Sequence, residues 1–215
     1  MAFAAERNVS DMQTHDQATR TTKQQRVTFD LVLRQLRKHD FAVVSTVDEA
    51  GNPHSAGVSY GVSRSGHPLA LYVMTRRQLK KARNIAQNPS VSLVIPVTRR
   101  LLWFLPPATI QVRGHAEILD WTDLEGAEVF RRFWIGRRIL KAYNESYRRG
   151  ETRICFLKIT PDADIATYMV GYSVWEARKH MESASAKVAV PSEYRPEDRS
   201  SPQTAQAPGH AVASR

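Results

Sequence analysis

Phe41-Ala-Val-Val-Ser-Thr-Val47, then Asp48-Glu-Ala-Gly-Asn52, then Pro53-His-Ser-Ala-Gly-Val-Ser-Tyr60 is the stretch whose reading decides the fold. The first run is rich in β-branched residues, which restrict χ1 and favour a pleated surface, and it reads as a buried strand. The middle segment is a turn. Asp and Asn side chains bond nearby backbone, and Gly51 is free to take positive φ. The third run reads as a second strand, so the whole is a hairpin. Leu69-Ala-Leu-Tyr-Val-Met74 follows another turn and predicts a third strand.

Outward from the hairpin the pattern stays short and strand-rich. Upstream, Thr28 is placed to cap a helix that carries Phe29, Val32, Leu33 and Leu36 on one face. Downstream, residues 75–78 end the third strand and a short helix runs over 79–87, stopped by Asn88-Pro89. Strands are expected over 91–95 and 108–119, the latter containing Gly114, with a basic then aromatic loop over 99–107 between them. Thr122-Asp-Leu-Glu125 has the form of a capping box. It opens one helix with Leu124, Ala127, Phe130, Phe133, Trp134, Leu140 and Tyr143 at roughly helical spacing. A strand over 153–160 and another over 165–169 complete the pattern. Short strands joined by tight turns, with few helices, predict a mainly β (α+β) fold: a closed or nearly closed antiparallel β-barrel with a few peripheral helices. Regular strand–helix alternation, GxGxxG and GxxxxGK[ST] are all missing, which argues against a doubly wound sheet.

Residues 1–26 are polar and read as a disordered arm, and 27–180 as one domain. Residues 181–215 read as a mostly disordered tail with a short docked stretch around 188–194. The lone cysteine, Cys155, sits in an apolar run, reads as a buried inert thiol, and can form neither a disulfide framework nor a CxxC metal site. No metal site is expected. No run approaches the roughly 18 apolar residues of a membrane span, and the first residues lack the basic and apolar regions of a signal peptide. A cytoplasmic protein is expected.

The formal net charge is +10, which favours anionic partners. Residues 76–100 carry Arg76, Arg77, Lys80, Lys81, Arg83, Arg99 and Arg100 and no acid. A second basic cluster over 131–153 includes Arg131, Arg132, Arg137, Arg138, Lys141, Arg148 and Arg149. In the first cluster, Thr75, Arg76, Arg77, Lys80 and Lys81 surround a helix start. Unpaired N–H groups and the partial positive charge there suit a phosphate, and charge-assisted bonds add strength. A solvated basic helix start would have the same sequence. A nucleic-acid partner is disfavoured because the aromatic residues fall mainly on apolar stripes, not between basic ones.

The order of these elements resembles the pyridoxamine 5′-phosphate oxidase-like, FMN-binding split-barrel family over roughly residues 30–170. The resemblance is carried by Asp48-Glu-Ala-Gly-Asn-Pro-His54, by Thr75 followed at fixed spacing by Lys81-Ala-Arg-Asn84, by Asn88-Pro-Ser-Val-Ser92 and by Val112-Arg-Gly-His-Ala-Glu117. It implies a split antiparallel barrel, a homodimer with the cofactor at the interface, and FMN or, in one branch, the deazaflavin F420. It also implies residue roles. Thr75, Lys80 and Lys81 would contact the phosphate, with Met74 and Arg76 as further cofactor-binding candidates of the same segment. Val58, Ser59 and Tyr60 would lie along the isoalloxazine ring, and Thr109 stands where some members place a Gln facing the cofactor.

Two departures bear on function. Leu79 stands where oxidase members have a Ser, and the Arg-x-His element with which the oxidases hold substrate near the C-terminus is not assigned to the site here, since His180 and His210 lie in the region read as tail. The implied activity is therefore a flavin-dependent oxidoreductase acting on an unidentified small molecule. The alternatives are an F420-dependent reductase and a non-catalytic flavin- or haem-binding protein on the same barrel. No catalytic residue is assigned: His54 and His115 are candidates by type alone.

Overall fold

In a computed structural model, residues 27–98, 108–171 and 184–196 are described. They hold seven strands in a single sheet: β1 (Phe41–Val47), β2 (Pro53–Val62), β3 (Leu71–Arg76), β4 (Ser90–Val97), β5 (Ala108–Asp120), β6 (Ile154–Tyr168) and β7 (Ser185–Ala189). Every pairing is antiparallel. The order is β3-β2-β1-β4-β5-β6-β7, and β3 pairs with β6 as well. That extra ladder bends the sheet round on itself into the mainly β barrel expected, and closure removes most of the exposed strand edges. The helices are α1 (Phe29–Lys38), α2 (Lys80–Gln87), α3 (Leu124–Arg131) and α4 (Trp134–Arg148). The arm over 1–26 and the loop over 99–107 lie outside the described residues, as does the tail beyond 196.

The hairpin forms as its sequence dictates. Val47 faces Pro53 at the end of the ladder. Asp48 Oδ1 accepts from the backbone N–H of Ala50 at 3.1 Å and of Asn52 at 2.9 Å, and Gly51 takes φ 82°. β1 is not buried on both sides. Ala42, Val44 and Thr46 point inward, while Val43, Ser45 and Val47 stay half-exposed on the outer face. A sheet with one face packed needs only that alternation.

Two apolar cores divide the inward and outward residues of β3. Leu71 and Val73 join Val44, Tyr60, Leu93, Ile110, Val112 and Leu157 inside the barrel. Tyr72 and Met74 face outward and are sealed by Val129 and Phe130 of α3 together with Ile154 and Phe156. α1 carries Phe29, Val32, Leu33 and Leu36 into the first core, capped as expected by Thr28, whose Oγ1 accepts from Leu31 N–H at 3.3 Å. The Tyr60 hydroxyl donates to the Leu36 carbonyl at 2.8 Å, fixing α1 to β2.

Elsewhere the tertiary context moved the expected boundaries. Thr75 and Arg76 do not break β3. They continue it, because Cys155 and Ile154 of β6 supply their ladder partners. The helix after β5 is capped one residue later than the capping-box pattern suggested: Asp123 Oδ2 accepts from Gly126 N–H at 2.7 Å, while Thr122 is turned back to Asp120. It is also two helices, broken at residues 132–133, with Gly136 packed against Phe133 and the Phe130 carbonyl. The strands expected over 153–160 and 165–169 are one strand, β6. Around its middle the register with β5 shifts, from Val112 opposite Ile165 to Gly114 opposite Pro161. That irregularity lets the first part of β6 pair with β3 and the last part with β7. The docked stretch expected around 188–194 is present as the end of β7 and a 3₁₀ turn over Ser192–Tyr194, with Val188 and Val190 buried.

Gly114 is required by this bend. A Cβ there would overlap the Thr160 carbonyl oxygen and stand 3.0 Å from Pro161 Cα. Backbone cannot yield as a side chain can. Gly114→Ala should therefore destabilise the fold by about 1–3 kcal/mol, measured by urea unfolding; an unchanged midpoint would contradict this reading of the bend.

Candidate functional site

The ladder between β2 and β3 is short. It runs from Val62–Leu71 through Gly61–Tyr72 to Tyr60–Val73 and stops. β3 continues to Arg76 with β6 as its partner, and the earlier part of β2 continues with β1. The barrel is split here, with Ser59 and Met74 as the first positions past the last pair. Tyr60 N–H bonds the Asp40 carbonyl on the β1 side. Antiparallel alternation therefore turns the backbone groups of Ser59 toward the split, and those of Met74 toward it from the other side. A flat ligand edge could take up those backbone groups.

β3 leads from the split directly into α2. Leu79 occupies the N-cap position of α2 and provides no side-chain bond. The Lys81 N–H thus keeps the donor capacity that a Ser cap could have consumed, and the Lys80 N–H, at the first helical position, has no intrahelical acceptor in any case. Thr75 is 1 % exposed, and its Oγ1 has no hydrogen-bond partner among the described residues. A buried hydroxyl left in that state costs about 1–3 kcal/mol. Thr75 sits opposite Cys155 on β6, and the Lys81 charge acts on that same thiol. α2 is anchored over the barrel end by Ala82, Asn84 and Ile85, with Asn84 Nδ2 donating to Thr46 Oγ1 at 3.0 Å.

The basic cluster is less free than its sequence suggested. Arg76 points outward, 3.6 Å from Glu151 and with its guanidinium 5.0 Å from the centre of the Tyr143 ring. It braces α4 and does not turn to Thr75. Arg77 pairs with Asp120 at 3.8 Å, and Lys80 with Asp48 Oδ2 at 3.1 Å. Lys81 has no carboxylate partner among the described residues. It is half-buried, and desolvation lowers its pKa. An under-solvated ammonium with no counter-ion is the strongest anion-attracting group of the corner.

The other expected site residues fall into two groups. Val58, Tyr60 and Met74 are buried, and the side chains of Val58 and Tyr60 belong to the barrel interior, so these positions serve the split through their backbone. Thr109 lies on β5, across β1 and β4 from β2, hence roughly 14 Å away at about 4.8 Å per strand. One copy of the chain does not bring it to the corner. Cys155 is fully buried, and desolvation pushes its thiol up to about 11, which makes it a poor nucleophile. His115 is exposed, 3.9 Å from Asp162 and paired with Ser90 of β4, and His54 lies in the hairpin opposite Thr46. Reading by charge alone missed Asp48, which neutralises Lys80 from the hairpin turn. The signal lay in the turn itself, since the Asp48 Oδ1 bonds leave Oδ2 to face outward.

The family model for pyridoxamine 5′-phosphate oxidase matches residues 30–163, which is more than half of the chain. The chain belongs to the pyridoxamine 5′-phosphate oxidase family. The match spans the hairpin, the split, α2 and most of β6. No curated protein matches the chain significantly. Among solved structures, General Stress Protein 26 from Bacillus anthracis is 25 % identical, with 64 % of this chain and 91 % of that chain covered at a TM-score of 0.44. A pyridoxamine 5′-phosphate oxidase-related, FMN-binding protein from Nostoc punctiforme is 12 % identical, with 74 % and 92 % covered at 0.47. HutZ, a haem storage protein from Vibrio cholerae, is 15 % identical, with 65 % and 94 % covered at 0.48.

The Lys80–Asp48 pair sets up one test. Asp48→Asn keeps the Oδ1 bonds of the turn and removes the charge that holds Lys80. A surface pair is worth at most about 1 kcal/mol, so affinity of the purified protein for inorganic phosphate should rise by no more than about fivefold. Phosphate titration followed by amide NMR at Lys80 and Lys81 checks it, and weaker binding in the variant would contradict the competition.

Proposed function

We propose that the chain is an FMN-dependent oxidoreductase of its family, working in the cytoplasm on a small-molecule substrate. The ring would lie in the β2–β3 split and the phosphate at Thr75 and Lys81. The observation that carries this reading is the pairing of two uncompensated groups on one corner: the orphan Thr75 hydroxyl and the half-buried Lys81 ammonium. A phosphate satisfies both, and the uncapped N–H groups at the start of α2 supply further donors. FMN would supply hydride transfer. The chain's own part is to bind and orient it: Lys81, Lys80 and Thr75 on the phosphate, the backbone of Ser59 and Met74 along the ring edge.

A homodimer belongs to this reading. The outer face of β1, β4 and β5 carries Val43, Val94, Pro96 and Thr109 half-exposed. A second copy packed there would bury those apolar positions and give Thr109 access to the other copy's cofactor. Light scattering should then report about 49 kDa, twice the 24.3 kDa chain. A monomer at micromolar concentration would remove Thr109 from the site.

Titration of the purified protein with FMN, followed by flavin absorption and fluorescence quenching, tests the cofactor. Lys81→Ala should weaken FMN by about tenfold to a hundredfold, the range for a hydrogen bond to a charged group. It should leave riboflavin, which lacks the phosphate, nearly unchanged. Equal losses for both ligands would place the phosphate elsewhere. Absence of FMN binding at micromolar concentration, with saturation by F420 or a Soret band with haem instead, would replace the reading.

A further inference from the structure

Two residues beyond the split, β2 borders a second feature that the cofactor corner does not use. A cavity of about 260 Å³ lies between the C-terminal end of α1, the end of β2 and the α3–α4 junction. It is just under the usual range of small-ligand pockets, about 300–1,000 Å³, so its ligand must be small. Its shape follows from one residue. A Cβ on Gly61 would overlap Val129 and come within 2.9 Å of Phe133 Cε1. The missing side chain lets the Phe133 ring lie close against the strand, and ring and backbone together make a flat apolar wall.

The charge around that wall is unbalanced. Arg37, Lys38 and Arg132 line the cavity, against a single lining carboxylate, Asp40. Arg132 is weakly neutralised. Its nearest carboxylate, Glu128, stands 3.9 Å away and is held more closely by Arg64 at 2.9 Å. The cavity therefore favours an anion.

His39 supplies the third element. It lines the cavity, and its Nε2 is buried with no hydrogen-bond partner among the described residues. Desolvation and the neighbouring Lys38 lower its pKa, with Asp40 opposing. The neutral imidazole can donate from one nitrogen and accept at the other, so His39 can serve a polar ligand group of either kind.

We propose that this cavity binds a small aromatic carboxylate that bears a second polar group on its ring. The ring lies on the Phe133–Gly61 wall, the carboxylate takes charge-assisted bonds from Arg132 and the Arg37–Lys38 rim, and the second polar group meets His39. Binding requires no cofactor. Its use as a substrate site rests on the flavin reading, since Gly61 is two residues, about 7 Å, along β2 from Ser59 at the split.

The test is binding of salicylate to the purified full-length protein without added flavin, followed by amide NMR and calorimetry. Salicylate should saturate with shifts at Gly61 and His39, and benzoate, which lacks the hydroxyl, should bind more weakly. Benzyl alcohol, which lacks the charge, and inorganic phosphate, which lacks the ring, should not compete. Arg132→Gln should weaken salicylate by about tenfold or more, and His39→Phe should abolish the preference over benzoate. If either variant fails to fold, Arg37→Gln and the Gly61 shift in the parent protein carry the test. No saturable binding, unchanged affinity in the variants, shifts confined to other strands, or equal competition by phosphate would each overturn the proposal. None of these readouts depends on whether FMN binds at Lys81.

Discussion

Strand β3 is held by β6 along its whole length and by β2 at only three pairs. The barrel depends on that inequality. The β6 ladder closes the sheet and carries Thr75 and Arg76 past the point where β2 has turned away. If β2 followed β3 to its end, backbone bonds would fill the space and the barrel would have no cleft. If β6 released β3 earlier, Thr75 would leave the sheet, and its hydroxyl would be hydrated instead of buried. The candidate site is thus a product of pairing. Its side chains are few, and most of its groups are backbone.

Much of this was legible in the chain. The hairpin was readable because Asp48, Gly51 and Asn52 impose a turn by their own chemistry, and the β-branched runs on either side can do little but pair. Thr75, Lys80 and Lys81 were singled out because they stand at the spacing the family resemblance implies, and the fold sets Thr75 near the end of β3 and both lysines at the start of α2. What could not be read was set by partners distant in sequence. The length of β3 was fixed by Cys155 and Ile154, and the unity of β6 by a register shift against β5. The roles of the arginines depended on carboxylates far along the chain: Glu151 for Arg76, Asp120 for Arg77. Residues 76–100 hold seven cations and no acid. Folding brings carboxylates to Arg76, Arg77 and Lys80 and, among the described residues, none to Lys81.

Arg76 shows how one side chain divides the two halves of the molecule. Alternation along β3 sends Thr75 to the barrel side and Arg76 to the helix side, where Tyr143 and Glu151 receive it. Glu151, lowered to about 2 first by its bonds from Arg153, is ionised at neutral pH and keeps that brace in place. The Thr75–Lys81 corner and the α3–α4 layer are thus coupled through adjacent residues of one strand. The cavity at Gly61 lies on the helix side, so the same layer that Arg76 secures also forms the Phe133 wall.

The lateness of β6 governs the order in which the chain can become a barrel. Leu71 must wait for Ile159, 159 − 71 = 88 residues further on. At about 5–20 residues per second, synthesis of that interval takes roughly 4–18 s. Throughout it, the hairpin and β3 can form only an open sheet whose β3 edge is unpaired, and such edges invite pairing with other chains. The nascent protein therefore passes through a period in which its future β2–β3 cleft is the exposed edge of an unfinished sheet. Long-range closure of this kind slows folding relative to local contacts, and a shielding partner at the ribosome would act on this edge first.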